Sequence, residues 1–125
     1  QKKNIIYVWK DKKMKVIKRN GTIADFNGKN IYNAIKKAYS TVYPIDTEAE
    51  TKITDITKKV IIDLEELSIE QVPITIIQSL VESRLLDFGM LKVAEAYIDY
   101  RIQRDIERYG FGDKINVKFH LETIR

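Results

Sequence analysis

Lys18 and Arg19 stand side by side just before Asn20 and Gly21 in the stretch VIKRNGTIADF, residues 16–26. A lysine ammonium is a compact point charge and an arginine guanidinium a planar fork of donors, so the pair suits phosphate or carboxylate groups. Asn27, Gly28, Lys29 and Asn30 then open what reads as a helix. The first turn of a helix offers unpaired N–H groups and a positive dipole end to an anion. Lys18, Arg19 and Lys29 can therefore converge on one phosphate-sized group. The spacing does not by itself set this apart from a solvated corner, because NGKN is far shorter than a glycine-rich phosphate loop.

A second set of cations follows YIDY late in the chain, where Arg101, Arg104 and Arg108 recur on neighbouring helical faces beside Tyr97 and Tyr100. Pairing with Asp99, Asp105 or Glu107 would make these arginines ordinary surface residues. A tyrosine next to an arginine also suits a nucleobase or a partner interface, although such rings more often belong to the core or its rim. Glu48 with Glu50, and Glu65 with Glu66, sit at helix ends where capping and dipole effects account for them. His120 has no second ligand or base nearby, and no nucleophile lies beside a poised base, so an enzymatic reading is poor.

The elements that must position these groups are legible in the hydrophobic periodicity. Alternation from Met14 to Phe26 around Asn20 and Gly21 predicts a β-hairpin. A two-residue turn with both residues at positive φ would pair Lys18 with Ile23 and Ile17 with Ala24, placing Ile17, Ala24 and Phe26 on one face. Ile31, Ala34, Ile35, Ala38 and Val42 give a first helix to about Tyr43, closed by Pro44. Thr47 and Glu50 form a capping box for a second helix, striped by Ile53, Ile56, Val60, Leu64 and Leu67. Pro73 interrupts the helical pattern, and a short edge strand is expected around Val72. Thr75 and Gln78 offer another capping box to a third helix with Ile77, Val81, Leu85 and Phe88, ended by Gly89. A fourth runs from about Leu91 to Tyr109 on Val93, Ala94, Tyr97, Ile98, Ile102 and Ile106. Residues 110–125 carry weak alternation around Ile115, Val117 and Phe119 and read as a linker or the start of a following domain.

Composition narrows the function classes. The 125 residues are 44% hydrophobic, enough to fill one core. Against 18 acidic residues stand 22 Lys plus Arg, a net charge of +4, so the location of the cations must choose between polyanionic partners. With no cysteine and a single histidine, disulfides, thiolate metal sites and thiol nucleophiles are excluded and a histidine-based metal centre is disfavoured. No apolar run approaches a membrane span and no signal-peptide pattern opens the sequence, so a cytoplasmic protein without membrane association is expected. The chain begins without methionine and reads as a piece of a larger protein.

In order, VIKRNGTIADFNGKNIYNAIKKA, IIQSLVESRLL and VAEAYIDYRIQRDIER resemble the ATP-cone, the nucleotide-binding regulatory domain of ribonucleotide reductases and of their dedicated bacterial repressor. The KR-x-G hairpin, the phenylalanine-led helix start, the IQ-x-x-VE helix and the VA-x-x-Y-x-x-YR helix occur in family order from about Val16 to Arg108. The resemblance implies an α+β fold: a four-helix bundle capped by a small three-stranded β-sheet, hairpin plus one short strand, over residues 14–109 after an N-terminal extension of residues 1–13. It implies that ATP, which permits activity, and dATP, which inhibits by driving an altered oligomer, compete for a site between hairpin and helices, with Mg2+ expected alongside the triphosphate. The implied partners are a reductase catalytic or radical-generating subunit and further copies of the chain.

Carried over by position, the phosphate-binding pair falls on Lys18 and Arg19, a backbone contact on Val16, and the polar residue at the helix entrance on Asn27. The family lysine before Ile31 is Asn30 here, with Lys29 one place earlier. A family threonine falls nearer Ile74, leaving Thr75 as its substitute. The polar position of the third helix is Gln78, and the late basic position is Arg104 with Arg101 beside it. An acidic position of the second strand is Ala24 here. Lacking the cysteines of a zinc ribbon, the chain is not the intact repressor, and a detached regulatory domain without catalytic residues remains. Two rivals stay open: a basic helical module that binds nucleic acid, a disfavoured partner, and a cone kept only as an oligomerisation surface.

Overall fold

In the computed structural model, which describes residues 14–110, the hairpin is formed by β1 (Lys15–Ile17) and β2 (Ile23–Asp25). The expected extension over residues 1–13 and the tail from residue 111, with His120, lie outside the described residues. The register pairs Lys15 with Asp25, Val16 with Ala24 and Ile17 with Ile23, one step from the expected one. Lys18 N–H donates to the Thr22 carbonyl at 2.8 Å and Gly21 N–H to the Lys18 carbonyl at 2.9 Å, so the loop has three residues, Arg19, Asn20 and Gly21. Gly21 takes φ +85° and Asn20 does not share its positive φ, which corrects the two-residue turn. Asn20 works through its side chain instead, Oδ1 accepting from the Thr22 N–H at 3.1 Å and the Thr22 hydroxyl at 2.7 Å. A left-handed glycine closing a three-residue loop suits the twist of the strands.

Because side chains alternate with period two, that single step exchanges the faces of β1. Val16 and Phe26 are buried while Ile17 is only half-buried and Ile23 is exposed, so Val16 takes the place expected of Ile17. Lys18 shares the parity of Val16 and rises from the bundle side of the sheet. β3 (Gln71–Pro73) pairs parallel to β1 through Val16 opposite Val72, giving the order β2-β1-β3 with the expected strand at one edge.

Four helices carry the sheet: α1 (Gly28–Ser40), α2 (Thr47–Leu67), α3 (Ile74–Asp87) and α4 (Leu91–Tyr109). Asn27 caps α1, its side chain accepting from the Lys29 N–H at 3.0 Å. The cap of α2 is Asp46, which accepts from the Ala49 N–H at 2.8 Å, so Thr47 is already helical and the expected Thr47–Glu50 box is not made. A carboxylate adds a dipole term to the capping bond, which favours Asp46 over the neighbouring hydroxyl. α3 starts directly from the extended Pro73 with no side-chain cap, placing Thr75 within the first turn in place of the expected Thr75–Gln78 box. Gly89, at φ +74°, ends α3 as expected, with its N–H on the Leu86 carbonyl and the Met90 N–H on the Leu85 carbonyl.

Ile35, Ile53, Ile56, Val60, Leu64, Val72, Leu85 and Val93 are fully buried and join all four helices to the sheet in one core. Leu67 and Phe88, expected in the helical stripes, are 43% and 39% exposed, because each lies at a helix end beyond the reach of its neighbours. Arg84 of α3 clamps Asp63 of α2 through two parallel bonds, Nε at 2.7 Å and Nη2 at 2.6 Å. Among the described residues no helix is long and apolar enough to cross a membrane.

Candidate functional site

The hairpin does not sit flush on the bundle. Between its inner face, α1, the first turns of α3 and the second half of α4 runs a cleft of about 500 Å³. That is within the roughly 300–1,000 Å³ usual for small-molecule sites. The one-step register shift matters here, since it turns Lys18 onto the cleft side together with Val16 and Ala24.

Most of the residues singled out in the sequence meet in this cleft. Val16, Lys18 and Arg19 line it from the hairpin, Asn27, Asn30 and Ile31 from the start of α1, Gln78 from α3, and Arg101 and Arg104 from α4. Two do not. Lys29 is exposed on the first turn of α1 and is not part of the wall, because one residue along a helix is a rotation of about 100°. Thr75 lines a neighbouring depression of about 410 Å³ with Ile17 and Pro73, as its place inside α3 requires.

The sequence reading missed Lys37, which lines the cleft from α1. Asn30, Asn33 and Lys37 recur at three- and four-residue intervals, and that period would have found it once Asn30 was placed toward a ligand. Arg108 joins the wall at the far end of α4. Six cations (Lys18, Arg19, Lys37, Arg101, Arg104 and Arg108) thus face two carboxylates, Asp25 and Asp105. In a concave site that excess concentrates a positive field on any anion that enters.

Several of these side chains are held in place. Arg101 Nε donates to Glu82 of α3 at 2.6 Å, a pairing between helices where the sequence suggested neighbours on its own helix. Arg104 donates to the Tyr100 hydroxyl at 2.7 Å and packs over the ring at 5.4 Å, while the Lys37 ammonium lies 5.1 Å from the same ring. Tyr100 therefore gathers two cations from different helices. Tyr97 is buried against the cleft, and that burial pushes its phenol well above the usual range, with Glu82 adding to the rise and Arg101 opposing it. Its hydroxyl stays protonated at neutral pH. Arg19 of the hairpin forms an ion pair with Asp105 of α4 at 2.6 Å and donates a longer bond, 3.4 Å, to Gln78.

Chemically, the lining suits a polyanion with an apolar portion: guanidinium and ammonium groups share the cleft with Ile31, Ile74, Ile77 and three tyrosines, Tyr97, Tyr100 and Tyr109. Among the described residues no cluster of three or more His, Asp or Glu side chains forms a metal site.

The family model described as the ATP cone domain matches residues 14–106. A ribonucleoside-diphosphate reductase subunit alpha of Chlamydia pneumoniae is 38% identical over 107 residues, covering 78% of this chain and 10% of the relative. An anaerobic ribonucleoside-triphosphate reductase of Haemophilus influenzae is 39% identical over 93 residues, 74% of this chain and 13% of the relative. A subunit alpha from Chlamydia trachomatis is 29% identical over 122 residues, 91% of the chain and 12% of that protein. The chain thus spans about a tenth of the length of the curated relatives it matches.

Proposed function

The chain belongs to the ATP-cone family, and we propose on that premise that it is the allosteric regulatory domain of a ribonucleotide reductase, binding ATP and dATP in the cleft under the hairpin. The observation that carries the reading is the meeting of Lys18, Arg19, Lys37 and Arg104 from three separate elements around one cavity of nucleotide size. The domain spans residues 14–109 and has no catalytic residues of its own. The reductase catalytic or radical-generating subunit is its partner, in the cytoplasm and in DNA precursor synthesis. The phosphates lie toward Lys18, Arg19 and Arg104, and Mg2+ arrives with the triphosphate.

ATP permits activity and dATP suppresses it through a changed oligomer. Two ligands of one pocket have opposite effects only if each favours a different arrangement of the assembly. The 2′-hydroxyl is their sole chemical difference, and one hydrogen bond at the ribose is of the order of a typical coupling energy, about 1–3 kcal/mol.

Calorimetric titration of the chain with ATP and with dATP, in the presence of Mg2+ and with mass followed by light scattering, tests this. A saturable isotherm for each nucleotide and a mass increase confined to one of them are expected. Absence of binding by both would sink the reading. Duplex binding that falls steeply with salt and survives excess ATP would instead favour the nucleic-acid module.

A further inference from the structure

Arg19 stands at the tip of the hairpin, yet its guanidinium is engaged across the cleft. Its Nε lies 2.6 Å from an Asp105 carboxylate oxygen and its Nη2 donates to Gln78 Oε1 at 3.4 Å. The Asp105 side chain retains only 14% of its surface and forms part of the cleft wall. A carboxylate there satisfies the guanidinium as a phosphate oxygen would, through a charge-assisted bond of the same geometry.

We propose that Asp105 is an intramolecular competitor for the phosphate groups, its carboxylate holding the Arg19 guanidinium against α4 until a nucleotide phosphate replaces it. The proposal rests on the nucleotide-binding reading of this cleft. Arg19 then has two partners, and each belongs to a different arrangement of the hairpin. Paired with Asp105, it ties the sheet to the last turns of α4, just before that helix ends at Tyr109. Paired with a phosphate, it ties the sheet to the ligand and gives up its direct bond to Asp105 of α4. A ligand moves such an equilibrium only by its differential affinity for the two arrangements, so the cost of separating Arg19 from Asp105 is subtracted from nucleotide affinity. Asp105 is thereby a residue that sets the nucleotide concentration at which the domain responds.

The decisive experiment is ATP calorimetry on the full 125-residue chain and on Asp105→Asn, Arg19→Gln and the double variant. Asp105→Asn is expected to bind ATP about tenfold more tightly, a shift within the usual range for coupled sites. In the Arg19→Gln background the same change should alter affinity by less than about twofold, because the competition has lost its object. Unchanged or weaker binding by Asp105→Asn, with the unaltered chain binding normally, overturns the proposal. So does an equal gain in both backgrounds, which would mean simple charge repulsion. Failure of both the unaltered chain and Asp105→Asn to bind removes the nucleotide site itself. Should Asp105→Asn not fold, the Arg19 Nε–H resonance of the unaltered chain supplies the answer: it is expected to shift on ATP saturation, and a resonance left in place while ATP is bound overturns the competition.

Discussion

Lysines that look alike in the sequence are unequal in the cleft. Lys18 rises from the cleft side of the hairpin, Lys37 reaches the cleft from α1 beside Tyr100, and Lys29 sits outside the wall although it is nearest the helix N-terminus. Lys18→Ala is therefore expected to weaken ATP and dATP alike by about 1.5–3 kcal/mol, the scale of a charge-assisted bond. Arg104→Ala belongs to the same range, and Lys37→Ala, at an exposed position of α1, should cost about 1 kcal/mol. Lys29→Ala should cost about 0.5 kcal/mol or less, since it acts only through solvent. Calorimetry on the four variants reads out the order, and a Lys29 effect as large as that of Lys18 would contradict the placement.

Caps and turns decide how the elements present those residues. Asp46, not Thr47, holds the first turn of α2, so Asp46→Ala should cost about 1 kcal/mol of stability while Thr47→Ala costs a few tenths. Urea unfolding of both variants distinguishes them. Gly21 has open space where a Cβ would stand but takes φ +85°, so Gly21→Ala is strained by its backbone alone. A loss of about 1–2 kcal/mol is expected, with nucleotide affinity falling further because Lys18 and Arg19 hang on this loop. Gly21→Asn should be milder in the same unfolding assay, since asparagine tolerates the left-handed region.

Across the whole molecule, the clamp between Asp63 and Arg84 couples α2 to α3 away from the cleft. The Arg84 bonds hold the Asp63 carboxyl below its ordinary value of 3.8, against a smaller opposing effect of burial and with help from the charges of Arg84 and Lys59. A lowered folded-state pKa means that the unfolded chain binds the proton more readily, so the contribution is complete well above 3.8 and lost as pH falls through the lowered value. Thermal unfolding followed as the pH falls through and below 3.8 should accordingly show a steeper acid decline for the unaltered chain than for Asp63→Asn. Nucleotide affinity at neutral pH should stay unchanged in Asp63→Asn, because the clamp does not touch the cleft.

Periodicity by itself determined the four helices and the hairpin, since apolar spacing of 3.6 or 2 is a local property that the packed core merely rewards, and Pro73, by interrupting the helical pattern, marked the edge strand at Val72. The ordered motifs likewise singled out Lys18, Arg19, Gln78 and Arg104 for one site. Only the tertiary structure decided the hairpin register, because two- and three-residue loops through Asn20 and Gly21 differ by the packing of Val16 against Ile17, a comparison made in the core. It also decided which cations share the cleft: helix rotation sends Lys37 in and Lys29 out, and the period from Asn30 picks out Lys37 only once the tertiary structure turns Asn30 toward the cleft. Asp105 against Arg19 and Glu82 against Arg101 are partners distant in sequence, which local spacing along one helix cannot reveal.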